Sequence, residues 1–160
     1  MTWIQHTRPE LAARVNFLSQ CTDKNYKEKI DLYNKAVTEV QKDPRRGIKM
    51  KPLDVQSLHI KVFSDSAFAN NTDMSSQLGF SILLCDKNNN CNIIQFSSHK
   101  SRRIVRSILD GEIYPFADAF DTAYTIKRDL EEMLERRVSL QMLTDSKTLF
   151  DIITKCSGTT

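Results

Sequence analysis

Short apolar runs dominate the pattern of residues 57–98. Three of them, over 58–65, 78–86 and 92–98, have the length and the β-branched content of buried strands. Asparagines fill the short link between the second and third runs, and asparagine tolerates the left-handed backbone of tight turns. A link of this length predicts a hairpin, so these two strands should be antiparallel.

A long helix, a fourth strand and a short helix are predicted next. The helix should span 111–137, with Pro115 near its first turn, where proline costs little. Its core-facing stripe is predicted from apolar residues at helical spacing: Phe116, Phe120, Ala123, Ile126, Leu130 and Leu134. A strand over 138–145 and a helix over 146–155 complete the order β-β-β-α-β-α. The strand–helix–strand crossover favours a fourth strand parallel to an earlier one, which gives a mixed α/β fold.

The N-terminal third has helical periodicity instead. Thr7 and Glu10 have the spacing of a capping box, and apolar residues within 25–43 recur on one helical stripe. No cluster of side chains here suggests chemistry, so this part is expected to pack or to connect. We divide the chain into a helical unit, 1–55, and an α/β domain, 56–160.

Composition narrows the class of protein. The chain has 160 residues, a net charge of +3 and 27% charged residues, all ordinary for a soluble globular domain. No apolar run is long enough for a signal peptide or a membrane span, so no membrane partner is expected. The four cysteines lack CxxC spacing, which argues against a zinc knuckle, and we expect mostly packed, reduced thiols in the cytoplasm or nucleus.

Three acids are predicted to converge at one edge of the sheet. Asp65 ends the first strand, Asp145 ends the fourth, and Glu112 lies in the opening turn of the long helix. If the first and fourth strands are parallel neighbours, both aspartates lie at the carboxyl edge where ligands of α/β sheets bind. Three close carboxylates repel one another unless cations lie between them, and hard oxygen ligands favour Mg²⁺ or Mn²⁺. Two such ions can clamp a phosphodiester.

Each acid also has an ordinary interpretation. Asp145 could cap the following helix, and Glu112 could be a solvated helix residue. The carboxylates Asp110, Asp118 and Asp121 are rivals for the helix position.

A basic segment directly precedes Glu112. It carries Lys100, Arg102, Arg103 and Arg106 without an acid, and it could hold a nucleic-acid backbone beside the metals. Ser66, like Ser64 and Ser98, could reach a 2′-hydroxyl. The alternative is a solvated loop whose charges only aid solubility.

The sequence around these acids resembles a known family. "FSDSAFANN", "FSSHKSRRIVRSILDGEIY" and "LTDSKTLFDIITK" resemble the ribonuclease H region of copia-type retrotransposon polyproteins, in their fungal form. "TRPELAARVNFLSQ" and "YNKAVTEVQKDPRRGI" resemble the end of the reverse transcriptase and its connection segment. The resemblance implies a ribonuclease H-like mixed sheet, with Asp65, Glu112 and Asp145 as the catalytic metal-binding acids. It also implies two Mg²⁺ ions, cleavage of RNA in RNA–DNA hybrids, and a longer polyprotein as the natural context.

The sequence also departs from the family pattern. The family has a fifth strand, a further helix, a fourth acid and often a mobile histidine, and the chain ends before them, so we expect a C-terminal truncation. His99 is in the wrong place to replace that histidine. Two hypotheses stay open: an active hybrid-specific ribonuclease, and an inactive transposon relic that binds nucleic acid weakly at most. A phosphoacceptor receiver domain with Asp65 as acceptor is disfavoured, because the short second link leaves no room for a helix.

Overall fold

A four-stranded mixed sheet forms the centre of the computed structural model. The residues described are 6–20, 25–68, 75–103 and 105–157. The strands are β1 (His59–Ala67), β2 (Gln77–Cys85), β3 (Cys91–Lys100) and β4 (Ser139–Leu143). In the order β3-β2-β1-β4, the first three strands are antiparallel neighbours and β4 is parallel to β1. The predicted strand order, the hairpin and the mixed α/β class are confirmed.

Four helices occur in the part of the chain that the structure describes, and two predicted helix starts are wrong. The helices are α1 (Ala12–Ser19, after a 3₁₀ turn at Pro9–Leu11), α2 (Tyr26–Lys42), α3 (Ile108–Leu134) and α4 (Lys147–Ser157). The 3₁₀ turn before α1 has its cap position at Arg8 and not at the predicted Thr7. Helix α3 begins three residues earlier than predicted, since the Ser107 hydroxyl accepts a hydrogen bond from the N–H of Asp110. Pro115 therefore lies two turns inside α3, where it leaves the Gly111 carbonyl without its helical partner.

The hairpin between β2 and β3 is organised by a buried carboxylate. Asp86 accepts the N–H groups of Asn88 at 2.9 Å and Asn90 at 3.0 Å, and that of Asp54 at 3.2 Å. Burial alone raises the pKa of Asp86, but these hydrogen bonds outweigh it and hold the pKa below its ordinary value. Asn89 takes the predicted left-handed conformation, with φ of 60°.

The core lies between α3 and one face of the sheet. Ala119 and Ala123 are 0% exposed and pack against Ile60, Val62 and Ile82. The prediction that Phe120 belongs to this face is wrong: its side chain is 42% exposed and stacks on the neighbouring Tyr124. Small residues lie at the closest approach because they let the helix backbone come near the strands, and the larger rings are left at the margin.

The opposite face of the sheet is only partly covered. Helix α1 packs over β3, and a side-chain hydrogen bond from Gln77 to Asn16 joins it to β2. Phe63 of β1 and Leu143 beside β1 stay substantially exposed. Helix α1 thus packs on the same sheet that carries the predicted acids, and α2 packs on α1.

Neither a membrane span nor a disulfide occurs in the part of the chain that the structure describes. None of its helices has the length and apolarity needed to cross a bilayer. Cys85 is buried, and burial together with the nearby Cys91 raises its pKa to about 12. Cys91 is half-buried and Cys156 is exposed, while Cys21 lies outside the described residues, so the prediction of packed thiols holds best for Cys85.

Candidate metal centre

Strand register brings the two aspartates together. Phe63 of β1 pairs with Leu143 of β4 in the parallel ladder, and Asp65 and Asp145 each lie two residues further along. Neither residue ends its strand as predicted, because β1 continues to Ala67 and β4 stops at Leu143. Two parallel neighbours in this register carry both carboxylates to the same edge of the sheet, and both side chains are exposed there.

Helix α3 supplies the third carboxylate. Glu112 lies one turn into the helix rather than in its opening turn, and its side chain is only 9% exposed. The preceding residue, Gly111, allows a close approach, because a Cβ built there would lie 3.2 Å from Ser66 Oγ. The Ser66 hydroxyl donates a hydrogen bond to Glu112 Oε1 at 3.2 Å, which fixes the glutamate beside β1.

One oxygen from each of Asp65, Glu112 and Asp145 lies within 4.8 Å of the others. The three rival acids of α3 lie outside this group, and Asp118 faces His99 at 4.0 Å instead. The alternative role of Asp145 as a helix cap is wrong, because the Ser146 hydroxyl accepts the N–H of Leu149 at the start of α4. Residues 65, 112 and 145, far apart in the chain, therefore form one acidic cluster.

The cluster is electrostatically unfavourable as a group of bare charges. Burial is the largest cause that raises the pKa of Glu112, and the charges of Asp65 and Asp145 raise it further. The hydrogen bond from Ser66 opposes this shift without cancelling it. A divalent cation would favour the ionised form of all three side chains. Their donor set is made of hard carboxylate oxygens, which fits Mg²⁺ or Mn²⁺ and not a thiophilic metal.

An apolar cleft of about 630 Å³ opens beside the acids on the less covered face of the sheet. Asp65 and Asp145 lie at its rim, and Phe63, Phe96 and Leu143 contribute to its walls. The first turn of the N-terminal helical unit closes the cleft on the opposite side. Sequence reasoning missed this feature, because its walls come from five separate segments of the chain.

Part of the predicted basic segment lines a second cleft. Lys100, Arg102 and Arg103 lie along it, whereas Arg106 is exposed and outside its lining. The remaining lining residues are Asn16, Gln20, Leu78, His99, Ser101, Tyr114 and Asp118. We call this surface the basic cleft. Sequence reasoning missed the contribution of α1, since neutral polar residues in a helix carry no distinctive signal.

No protein-family model matches this chain. Searches of curated proteins and of solved structures also found no match. The likeness to ribonuclease H therefore remains an interpretation, supported by the order of its motifs and by the acidic cluster.

Proposed function

We propose that this chain is a ribonuclease H-like domain of a retrotransposon polyprotein, which hydrolyses the RNA strand of RNA–DNA hybrids with two divalent metal ions. The observation that carries the proposal is the convergence of Asp65, Glu112 and Asp145 within 4.8 Å. These side chains come from β1, α3 and the end of β4, in the order strand acid, helix acid, strand acid. A chance cluster of surface acids would not need one member to be buried and held by a hydrogen bond.

In this proposal the three carboxylates hold Mg²⁺ or Mn²⁺. The ions, when bound, supply Lewis-acid chemistry for the attacking water and the leaving 3′ oxygen. Asp65 is oriented by the backbone N–H of Ser66, which donates to its Oδ1 at 2.7 Å. Ser66 also holds Glu112, so we assign it a positioning role in place of the predicted contact with a 2′-hydroxyl. Both acids are thereby fixed by a single residue of β1.

The basic segment positions the substrate. Lys100 ends β3, and Arg102 and Arg103 follow it at the same end of the sheet as the acidic cluster. Phosphate contacts of this kind hold a nucleic acid without reading its sequence, which suits an enzyme that cuts hybrids of any sequence. Arg106 remains a predicted phosphate contact.

A cleavage assay tests the proposal against the alternative of an inactive relic. The RNA strand of a labelled RNA–DNA hybrid should be cut with Mg²⁺ or Mn²⁺, and not in EDTA. Duplex DNA and duplex RNA of the same sequence serve as substrate controls. Asp65→Asn should reduce cleavage to background, because it removes a ligand charge from the cluster.

Asp121→Asn is the matched control, since it makes the same change on an exposed α3 residue outside the cluster. It should cleave like the unmodified chain. Cleavage that survives Asp65→Asn would refute the proposal. A folded chain that binds hybrids but never cuts them would favour the relic.

A further inference from the structure

We propose that the basic cleft binds a phosphate of the nucleic-acid backbone, and that Asn16 and Gln20 of α1 form one wall of this site. The class of ligand rests on the proposed function. What goes beyond the proposed function is the role of α1 in binding. This helix belongs to the part of the chain that the sequence predicts only to pack or to connect.

The charge of the cleft favours a polyanion. It has a volume of about 840 Å³ and is lined by three cationic side chains, Lys100, Arg102 and Arg103, against one carboxylate, Asp118. Arg102 and Arg103 are exposed, so their guanidinium groups are accessible to a large ligand. Guanidinium groups match phosphate oxygens with two parallel hydrogen bonds, which makes phosphate a better fit than a compact monovalent anion.

Arg103 is held in place before any ligand binds. Its guanidinium carbon lies 5.0 Å from the centroid of the Tyr114 ring, within the range of a cation–π contact. The buried Ser101 hydroxyl accepts the N–H of Arg103 at 3.2 Å and donates to its carbonyl at 2.9 Å. The N–H of Ser101 donates to the carbonyl of Ser76 at 2.8 Å, which ties this turn to the chain before β2. A fixed guanidinium loses less entropy on binding than a free one.

The α1 wall is also fixed. Asn16 Oδ1 accepts hydrogen bonds from Gln20 Nε2 at 3.1 Å and from Gln77 Nε2 at 3.3 Å. The same amide of Gln77 donates to Ser98 Oγ at 2.9 Å, so the network joins α1, β2 and β3. It gives the cleft a neutral, hydrogen-bonding side opposite its cations. Such a wall suits the sugar hydroxyls and phosphate oxygens of a nucleic acid.

The cleft lies at a useful distance from the acids. Ser66, which contacts Glu112, pairs with Leu78, and Leu78 pairs with His99 at the start of the basic segment. Two strand spacings separate Ser66 from His99, which is about 10 Å. That distance corresponds to roughly three base steps along one strand. One short duplex lying across this end of the sheet would reach both sites.

Two substitutions with matched controls test the proposal, with binding of a fluorescent RNA–DNA hybrid measured in EDTA by anisotropy at several salt concentrations. Arg103→Ala should weaken binding about three- to tenfold and lower the logarithmic salt slope by about 1. Arg128→Ala removes an equally exposed arginine from the distant part of α3, and should change neither quantity. Circular dichroism confirms that each variant is folded.

Asn16→Asp tests the α1 wall itself. Aspartate keeps the oxygen that accepts both hydrogen bonds and adds one negative charge inside the cleft. It should weaken binding by about three- to tenfold through repulsion of the phosphate. Asn34→Asp makes the same change on the exposed face of α2, outside the lining of the basic cleft, and should bind within about twofold of the unmodified chain.

The outcomes separate this proposal from the proposed function. If Asn16→Asp behaves like Asn34→Asp, or if Arg103→Ala binds the hybrid like Arg128→Ala, the cleft is not the binding site and the proposal is wrong. If the cleft variants weaken binding although the unmodified chain cuts no hybrid, the phosphate site in the cleft is supported and the proposed nuclease activity is refuted. If the unmodified chain cleaves hybrids and every variant binds them normally, the proposed nuclease activity is supported and the phosphate site in the cleft is refuted.

Discussion

Replacing Glu112 with glutamine tests the charge of the acidic cluster without changing its shape. Glutamine has nearly the same volume, and its Oε1 can still accept the hydrogen bond from the Ser66 hydroxyl. Only one negative charge is removed from the cluster. We therefore expect the variant to be more stable than the unmodified chain in the absence of divalent cations, although it carries a substitution at a buried site.

The size of the effect follows from the distances. At the 4.8 Å that bounds the cluster, two unit charges repel by about 0.9 kcal/mol in water, or about 3.5 kcal/mol at an effective dielectric of 20. Because Asp65 and Asp145 are exposed, the lower figure is appropriate for each of the two pairs that Glu112 forms. The free energy of unfolding should rise by about 1–2 kcal/mol at pH 7.

The pH dependence has a definite sign. Folding raises the pKa of Glu112 above its ordinary value of 4.5, through burial first and then through Asp65 and Asp145. Its favourable contribution is therefore complete below pH 4.5 and is lost as the pH rises through the raised pKa. The two proteins should be equally stable below pH 4.5, and the higher free energy of unfolding of Glu112→Gln should appear as the pH rises above that value.

Divalent cations should reverse the order. At a Mg²⁺ concentration one hundred times its dissociation constant, the unmodified chain gains about 2.7 kcal/mol, which exceeds the advantage of Glu112→Gln without metal, whereas Glu112→Gln should gain much less. Urea unfolding with EDTA or with Mg²⁺ measures both effects, and Glu132→Gln on the exposed side of α3 is the control. If Mg²⁺ stabilises both proteins equally, or if Glu112→Gln is no more stable in EDTA, the three acids do not act as one site.

Four further substitutions test the β2–β3 hairpin, the packing of α3 and the close approach at Gly111. Asp86→Ala should lower the melting temperature, measured by circular dichroism, because the hairpin N–H groups lose a buried acceptor. Ala119→Leu should cost about 1–3 kcal/mol in urea unfolding, since it overpacks the closest approach of α3. Phe120→Ala should lower the free energy of unfolding less than Ala119→Leu does, because the Phe120 side chain is exposed. If Phe120 were a core residue, Phe120→Ala would lower it more. Gly111→Ala should change the free energy of unfolding by less than about 1 kcal/mol, because the helical preference of alanine offsets the crowding of Ser66. It should nevertheless raise the Mg²⁺ concentration that is needed to stabilise the protein.

The sheet and the acidic cluster were predictable because short-range rules determine them. A link too short for a helix required an antiparallel pair, and the crossover through α3 favoured a parallel β4. Given those two constraints, equal spacing after the paired residues Phe63 and Leu143 was enough to bring Asp65 and Asp145 together. The start of α3 could also have been predicted, because Ser107 followed three residues later by Asp110 is a capping signal. That signal is stronger evidence for a helix start than Gly111 is.

The buried face of α3 could not be read from the spacing of apolar residues alone. Phe120 and Ala119 both fit a helical stripe, and the choice between them depends on how closely the helix approaches the sheet. That distance is set by contacts with Ile60, Val62 and Ile82, which are distant in sequence. The basic cleft was out of reach for the same reason, since α1 meets the segment after β3 only through tertiary packing.

The opposite charges at this end of the sheet have one further consequence. The acidic cluster repels a phosphate backbone while the basic cleft, about 10 Å away, attracts it. If the proposed sites are correct, a divalent cation held by the acids would reduce the repulsion and leave the attraction, so metal and nucleic acid would each increase the affinity for the other. Because burial and the neighbouring acids raise the pKa of Glu112, uptake of a proton at low pH would also lower the charge of the metal-free cluster and so weaken this coupling. In that proposal, binding of the substrate and assembly of the metal centre would form one coupled equilibrium, and Ser66 contacts the buried acid Glu112 of the cluster.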